Sequence, residues 1–422
     1  MIPIETIALV PTAILLIIIL SQYFILLFPK KKHHKNFWPS VSILIPAHNE
    51  GKYIEATVNS AIDSEYMGKK EIIVINDGST DDTGKILSNL SKKYRELKVI
   101  KTNHVGKSNA LNAGLAVSRN NVIVIVDGDS ELAGSAIKNI VRPLARKDVG
   151  AVGGIVKVKN RGGIISWFQR IEYLYASFFN SLCDRVNGNI FTPGPLSAFK
   201  RNVAEVLGGF NNKVYLEDVD LALRVIKSGY KIHIAEDAVV RTNVPETVKS
   251  WARQRKRWMK GGIEVVKNHK DIMFKRKFGS CGFYPLPLIT YWYFHSIVMG
   301  IVIFFQVFTG YYNYFVVYGN GLSLNAAQYF VYWFSVLGII NLVYMIATGL
   351  ISANPLLIMS IALTVLAYPM YLYPYFRYKE KFGPRDLFAF FFLFPYWMLV
   401  LIIQSTSNIN WLKNGGRNWW NK

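Results

Sequence analysis

Apolar positions along this chain fall into two kinds of block. Ile7–Phe28 is apolar for about twenty positions, enough to cross a bilayer as a helix. Comparable unbroken stretches recur at Tyr284–Phe308, Tyr329–Ile351, Pro355–Tyr373 and Leu387–Ile403. From Pro39 to about Val244 the apolar runs are shorter. Val41–Pro46, Glu71–Asp77, Leu97–Lys101 and Val122–Asp127 read as buried strands ending in polar residues, and Tyr53–Ser64, Asp82–Lys93 and Lys107–Ser118 carry helical spacing. Strand–helix alternation predicts an α/β fold with a mostly parallel, doubly wound sheet, whose ligands sit outside the carboxyl ends of the strands. Trp167–Leu182 is an aromatic amphipathic helix suited to a core or an interface, and Val248–His269 reads as a basic helix lying at a membrane surface. The chain thus divides into an anchor (1–37), an α/β domain (38–245), interface helices (246–282), an α-helical transmembrane bundle (283–405) and a tail (406–422).

Charge changes the picture next. The 422 residues are 51% hydrophobic, yet 49 Lys and Arg face 27 Asp and Glu, a net of +22. A nucleic-acid binder that basic would rarely carry such long apolar blocks, so a membrane protein with a basic cytoplasmic face and an anionic substrate fits better. Lys30, Lys31, Lys32, His33, His34 and Lys35 follow the first apolar block, with no basic stretch before it and no small-residue cleavage site after it. By the positive-inside rule this is an uncleaved anchor, with the α/β domain in the cytosol of a multi-pass plasma-membrane protein. Four later crossings return the tail to the cytosol. Simple counting then places the Arg377–Arg385 loop outside, against its four basic residues, unless a preceding segment is re-entrant. Cys183 and Cys281 lie far apart without metal-ligand spacing and read as reduced or buried thiols.

The strand ends carry the candidate chemistry. They read Pro46-Ala47-His48-Asn49-Glu50, then Asn76-Asp77-Gly78-Ser79, then Asp127-Gly128-Asp129. Paired carboxylates one residue apart are hard oxygen ligands able to share a divalent cation, which typically bridges to a substrate's phosphates. Any one cluster could be a turn or a helix cap. Three on the same edge of a sheet are harder to dismiss. Further on, Trp251–Trp258 places Gln254, Arg257 and Trp258 on one helical face. By itself this stretch also suits a juxtamembrane helix holding anionic lipid.

Taken in order, Pro46–Glu50, Asn76–Ser79, Gly106–Asn112, Asp127–Asp129, Leu216-Glu217-Asp218 and Gln254–Trp258 resemble the membrane-embedded, processive family 2 glycosyltransferases, the group of cellulose, chitin, hyaluronan and poly-N-acetylglucosamine synthases. Val244–Thr247 and Met259–Gly262 look most like the poly-N-acetylglucosamine synthases. The resemblance implies a GT-A-type nucleotide-sugar-binding domain joined to the transmembrane bundle. It implies that Pro46, Ala47, Glu50, Asp77 and Lys107 line the UDP-sugar donor site, and that Asp127 and Asp129 hold Mg2+ or Mn2+ on the diphosphate. Asp218 matches the general base of a Thr-Glu-Asp motif whose Thr is here Leu216, and Glu217 is able to exchange roles with it. Gln254, Arg257 and Trp258 match the motif that serves the acceptor and the leaving UDP, and Gly194 and Pro195 match a loop lining the acceptor side. Trp411–Arg417 resembles a mobile gate that brings Arg417 over bound UDP.

The implied function is inverting, processive β-transfer of a sugar, N-acetylglucosamine favoured, from a UDP-sugar to a growing polysaccharide that passes through the bilayer, with room for an accessory export or synthase subunit. A single transfer to a polyprenyl phosphate or glycolipid is the alternative within enzymes. A non-catalytic membrane sensor is the alternative outside them.

Overall fold

The computed structural model describes residues 4–30, 36–317, 319 and 324–413. A first helix, α1 (Ile4–Leu26), leads into an eight-stranded sheet whose opening half follows the sequence pattern closely. β1 (Val41–Ala47), α2 (Ile54–Ile62), β2 (Lys70–Asp77), α3 (Thr83–Lys93), β3 (Leu97–Thr102), α4 (Lys107–Val117) and β4 (Val122–Ile125) alternate, and β1 to β4 pair in parallel. β1 and β4 are buried on both faces, as continuous Val/Ile/Leu runs between helical layers should be.

The second half is mixed. After β5 (Ser130–Leu132), α5 (Ala136–Val141), β6 (Val149–Val158) and the long α6 (Ile164–Arg185) come β7 (Ser197–Lys200), α7 (Arg201–Val206), α8 (Glu217–Lys227) and β8 (Lys231–Thr242). The order across the sheet is β3-β2-β1-β4-β7-β6-β8-β5, with β7 antiparallel to both neighbours and β5 antiparallel to β8. The parallel expectation therefore describes one half of the sheet. The 191–196 loop leads from α6 into β7. One apolar cluster fills the face under α2, α3 and α5, a second the face under α4, α7 and α8.

A third cluster joins domain to bundle. α6 packs Phe168, Ile171, Leu174 and Phe178 against Met370, Tyr375, Phe390 and Tyr396. Helix α9 (Val248–Asn268), capped by Thr247 accepting from the Ser250 N–H at 3.2 Å, follows the sheet. A single turn, α10 (Ser280–Phe283), precedes α11 (Pro285–Tyr312), α12 (Leu324–Phe334), α13 (Leu337–Ala347), α14 (Pro355–Arg377), α15 (Pro384–Phe391) and α16 (Leu393–Lys413).

Among the described residues, three helical stretches are long and apolar enough to cross a membrane: Thr6–Leu26, Ser280–Val317 and Pro355–Arg377. The other two expected spans are broken, with α12 and α13 bent by 100° and α15 and the following helix by 62°. Five is reached only if each bent pair counts as one span. The Arg377–Arg385 loop, which simple counting placed outside, lies against the α/β domain. Glu380 meets Lys157 at 3.0 Å, Arg170 at 2.7 Å and Arg241 at 3.1 Å, and Arg170 also bonds Asp386. Lys157 donates to the Tyr378 carbonyl at 2.6 Å, and Arg377 pairs with Glu236 of β8. Buried cations of the domain supply the reason: Glu380 is the counter-charge they require.

Candidate active site

Asp77 ends β2 and is almost fully buried. Its Oδ1 accepts from the Thr102 hydroxyl and the Val105 N–H, both at 2.7 Å, and its Oδ2 accepts from the Gly106 N–H at 2.8 Å. Burial pushes its pKa up, but those three donors outweigh burial and hold it below the ordinary value. Gly106 has φ +86°, a left-handed backbone that favours glycine, and it releases the chain into α4 at Lys107. One carboxylate thus fixes the whole turn that delivers Lys107. The rings of His48 and His104 lie 4.1 Å apart, tilted by 33°, at the edge of this loop, and His48 Nδ1 lies 2.6 Å from the Asp77 carbonyl.

Lys107 Nζ lies 2.6 Å from Asp127 Oδ1 and 3.3 Å from Glu217 Oε1. Burial would lower its pKa; the charges of Asp127, Glu217 and Asp218 outweigh that and raise it. Asp129, two residues on, accepts from the Ser130 hydroxyl at 3.1 Å and the Thr242 hydroxyl at 3.2 Å, so β8 orients it from the opposite side. Burial, then the charge of Asp127, pushes Asp129 up to about 6. Glu50, in the turn after Pro46 and Ala47 at the end of β1, is raised to about 7 by burial and by Asp129, Asp127 and Asp81. Three carboxylates that repel one another mark a place short of positive charge. Among the described residues no three His, Cys, Asp or Glu side chains converge to hold a metal alone. Asp127 and Asp129 fit a Mg2+ or Mn2+ ion completed by diphosphate oxygens and water.

Asp218 lies in the first turn of α8, its Oδ1 accepting from the Val219 N–H at 2.9 Å and its carbonyl from the Thr192 hydroxyl at 3.1 Å. Burial, then the charge of Glu217, raises it to about 7. The 191–196 loop closes over this cluster. A Cβ at Gly194 would lie 3.2 Å from Lys107 Nζ and 3.3 Å from both Asp127 Oδ2 and Asp218 Oδ2, and Pro195 follows beside it. Only a glycine leaves that point open.

The Gln254–Trp258 face is divided by the structure. Gln254 and Trp258 are half-buried, and the buried Gln254 Oε1 has no hydrogen-bond partner among the described residues. Arg257 is exposed. The buried arginine is its neighbour but one, Arg255, about 200° round the helix. Arg255 forks onto Glu172 of α6 at 2.7 and 2.8 Å and lies 4.3 Å from the centre of the Trp258 ring. Sequence reasoning missed Arg255 and Glu172. The spacing Trp251, Arg255, Trp258 (i, i+4, i+7) was the available signal for the first; a single Glu in an aromatic helix gave none for the second. Arg417 lies outside the described residues.

Comparison with known proteins agrees with this architecture. Residues 39–261 match the family model "Glycosyltransferase like family 2". A probable glycosyltransferase of Bacillus subtilis, YdaM, is 36% identical over 247 residues, covering 57% of this chain and 59% of that one. A poly-β-1,6-N-acetyl-D-glucosamine synthase of Staphylococcus epidermidis is 29% identical over 232 residues, 54% of this chain and 55% of that one. The chain spans a little over half the length of these curated relatives. A mannosyltransferase of Pyrobaculum calidifontis, PcManGT, solved with GDP-mannose and Mn2+, shares the fold with a TM-score of 0.60 at 22% identity, over 87% of this chain and 98% of that one. With more than half of its residues, from the start of the sheet into α9, matching one family model, the chain belongs to glycosyltransferase family 2.

Proposed function

We propose that the chain is an inverting, processive β-glycosyltransferase that moves a hexosyl unit, N-acetylglucosamine by preference, from a UDP-sugar to a growing polysaccharide and passes the product across the membrane. The observation that carries this reading is the point above Gly194. Around it the Lys107 ammonium, the Asp127 carboxylate and the half-buried Asp218 carboxylate lie within 3.3 Å. The cleft beside this loop thus has a base and charge for a departing diphosphate converging on it.

Asp218 takes the proton of the acceptor hydroxyl. A carboxyl raised to about 7 is matched to that task near neutral pH, because it is basic enough to accept the proton yet still ionised. Lys107, delivered by the Asp77-held turn, faces the diphosphate, with Arg257 as a second cation able to fork onto phosphate. Asp127 and Asp129 would hold a divalent ion, which would supply charge neutralisation for the leaving UDP. The 46–50 turn and Asp77 form the nucleotide side; Gln254, Trp258, Gly194 and Pro195 form the acceptor side. The poly-N-acetylglucosamine synthases among the relatives support the choice of sugar.

The bundle is proposed to carry the domain on the cytosolic face of the plasma membrane. The Arg377–Arg385 loop lies at the domain, so the chain between α9 and that loop crosses an even number of times. Crossings by α11 and α14, with the 100° bend between α12 and α13 turning that pair back, meet this requirement and return the loop's basic residues to the positive side.

The test is UDP release by purified protein over a panel of UDP-sugars with Mn2+ or Mg2+, with the product sized by gel. Turnover of one donor with a high-molecular-weight product supports the polymerase. One sugar added to a lipid acceptor, with no polymer, would replace it by single transfer. No turnover with any donor would leave the non-catalytic sensor.

A further inference from the structure

Trp258 does not stand alone. Its indole lies 4.3 Å from the Arg255 guanidinium, and its centroid is 6.1 Å from the ring of Tyr173. Arg255 is 3% exposed and spends both terminal nitrogens on one carboxylate, Glu172, in a bidentate fork. Glu172 Oε2 accepts a further hydrogen bond from the hydroxyl of Tyr396, which is 1% exposed near the start of α16. The Tyr396 ring stacks on Phe168 at 5.3 Å and packs on Trp251 at 5.5 Å. Four side chains from three helices, α16, α6, α9 and again α9, therefore form one continuous relay that ends at the tryptophan of the cleft.

We infer that Tyr396, Glu172 and Arg255 are positioning residues that set the plane of Trp258 for the acceptor sugar, so that the seating of α16 in the bundle governs chain extension. This rests on the proposed function above. The physical argument is the cost of the arrangement. A guanidinium withdrawn from water needs a dedicated counter-charge, and an apolar residue would join α9 to α16 without one. The planar guanidinium lies close to the indole and limits its tilt, as a flexible ammonium would not. The Tyr396 bond fixes the free edge of Glu172 and transmits any shift of α16. An acceptor sugar docking on a ring held this way meets it in one orientation, and positioning of that kind contributes to transfer without contributing to donor cleavage by water.

The experiment uses full-length protein in detergent with labelled UDP-N-acetylglucosamine and Mn2+, and reads label incorporated per UDP released, the KM for donor and the melting temperature. Arg255→Lys keeps the buried charge pair and removes the flat surface; it should lower incorporation per UDP released about tenfold with an unchanged donor KM. Tyr396→Phe removes one hydrogen bond and should lower the ratio about threefold. Phe178→Leu loosens the packing of α6 on the bundle at Tyr373, away from the relay, and should leave the ratio at the wild-type value. The inference is overturned if Arg255→Lys and Tyr396→Phe keep the wild-type ratio, or if Phe178→Leu lowers it equally, which would make these residues interface packing. Wild-type protein that neither releases UDP nor incorporates label would sink the proposed function, and this inference with it. Wild-type incorporation alongside unshifted variants would sink the inference alone.

Discussion

The proposed donor side and the proposed acceptor side of the cleft are built differently. On the donor side, Asp77 is held by Thr102, Val105 and Gly106, close together in one turn, and two of its three donors are backbone N–H groups. On the acceptor side, Trp258 depends on Arg255, Glu172 and Tyr396, and the bonds joining them link residues 83 and 224 positions apart. The first arrangement is local and assembles with its loop. The second exists only when α6, α9 and α16 are packed together. The groups proposed to recognise a nucleotide diphosphate are thus pre-formed by the sheet, whereas those proposed to receive the acceptor depend on the packing of α6, α9 and α16.

The largest expected effect breaks the junction of the two sides. Asp218→Asn should lower transfer by about a thousandfold while UDP binding, read by calorimetry, survives; loss of UDP binding would place Asp218 on the donor side instead. Chelation should likewise stop transfer and added Mn2+ or Mg2+ restore it; activity indifferent to chelator would remove Asp127 and Asp129 from metal binding.

Asp77→Asn tests the donor side alone. An amide cannot satisfy three donors as a carboxylate does, so the turn loosens by about 1–3 kcal/mol and the donor KM should rise about tenfold or more, with chain length per initiation unchanged. A change in product length instead would blur the distinction between the two sides.

Glu380→Gln tests whether the bundle stabilises the domain. Glu380 is 4% exposed, and burial, which alone would raise its pKa, is outweighed by Arg241, Arg170 and Lys157, so that it falls from 4.5 to about 2. A depressed carboxylate contributes stability above its unfolded value and loses it as pH falls from about 4.5 towards 2. The melting temperature of the wild type should therefore drop over that window. Glu380→Gln, with cations left uncompensated, should melt lower at neutral pH and show a flatter profile. Identical profiles would separate the loop from domain stability.

The smallest effect is the pH profile of transfer. With Asp218 at about 7, its base form is depleted below that pH, so the rate should fall towards tenfold per unit in the acid limb, and Asp218→Asn should abolish the limb. A wild-type rate flat from pH 8 to 5 would argue that proton removal does not limit transfer.

Much of this protein is legible in local sequence pattern alone. Val41–Ala47, Lys70–Asp77 and Val122–Ile125 are short apolar runs bounded by polar turns, and such strands are set by local pattern, so β1 to β4 and the carboxylates at their ends were legible. Asp77, Asp127, Asp129 and Asp218 follow because each sits where a strand ends or a helix begins. Tertiary structure decided the rest. The antiparallel insertion of β7 depends on which strand edge is free after β4 has paired, a non-local matter. The docking of the Arg377–Arg385 loop on the domain rests on Glu380 filling a cluster of cations drawn from β6, α6 and β8, which no periodicity records. Between Arg255 and Arg257, helical spacing offered both, and only packing against Glu172 showed which is buried. Local pattern fixes what a residue's own element will be; a long-range charge pair is decided by elements that the pattern does not bring together.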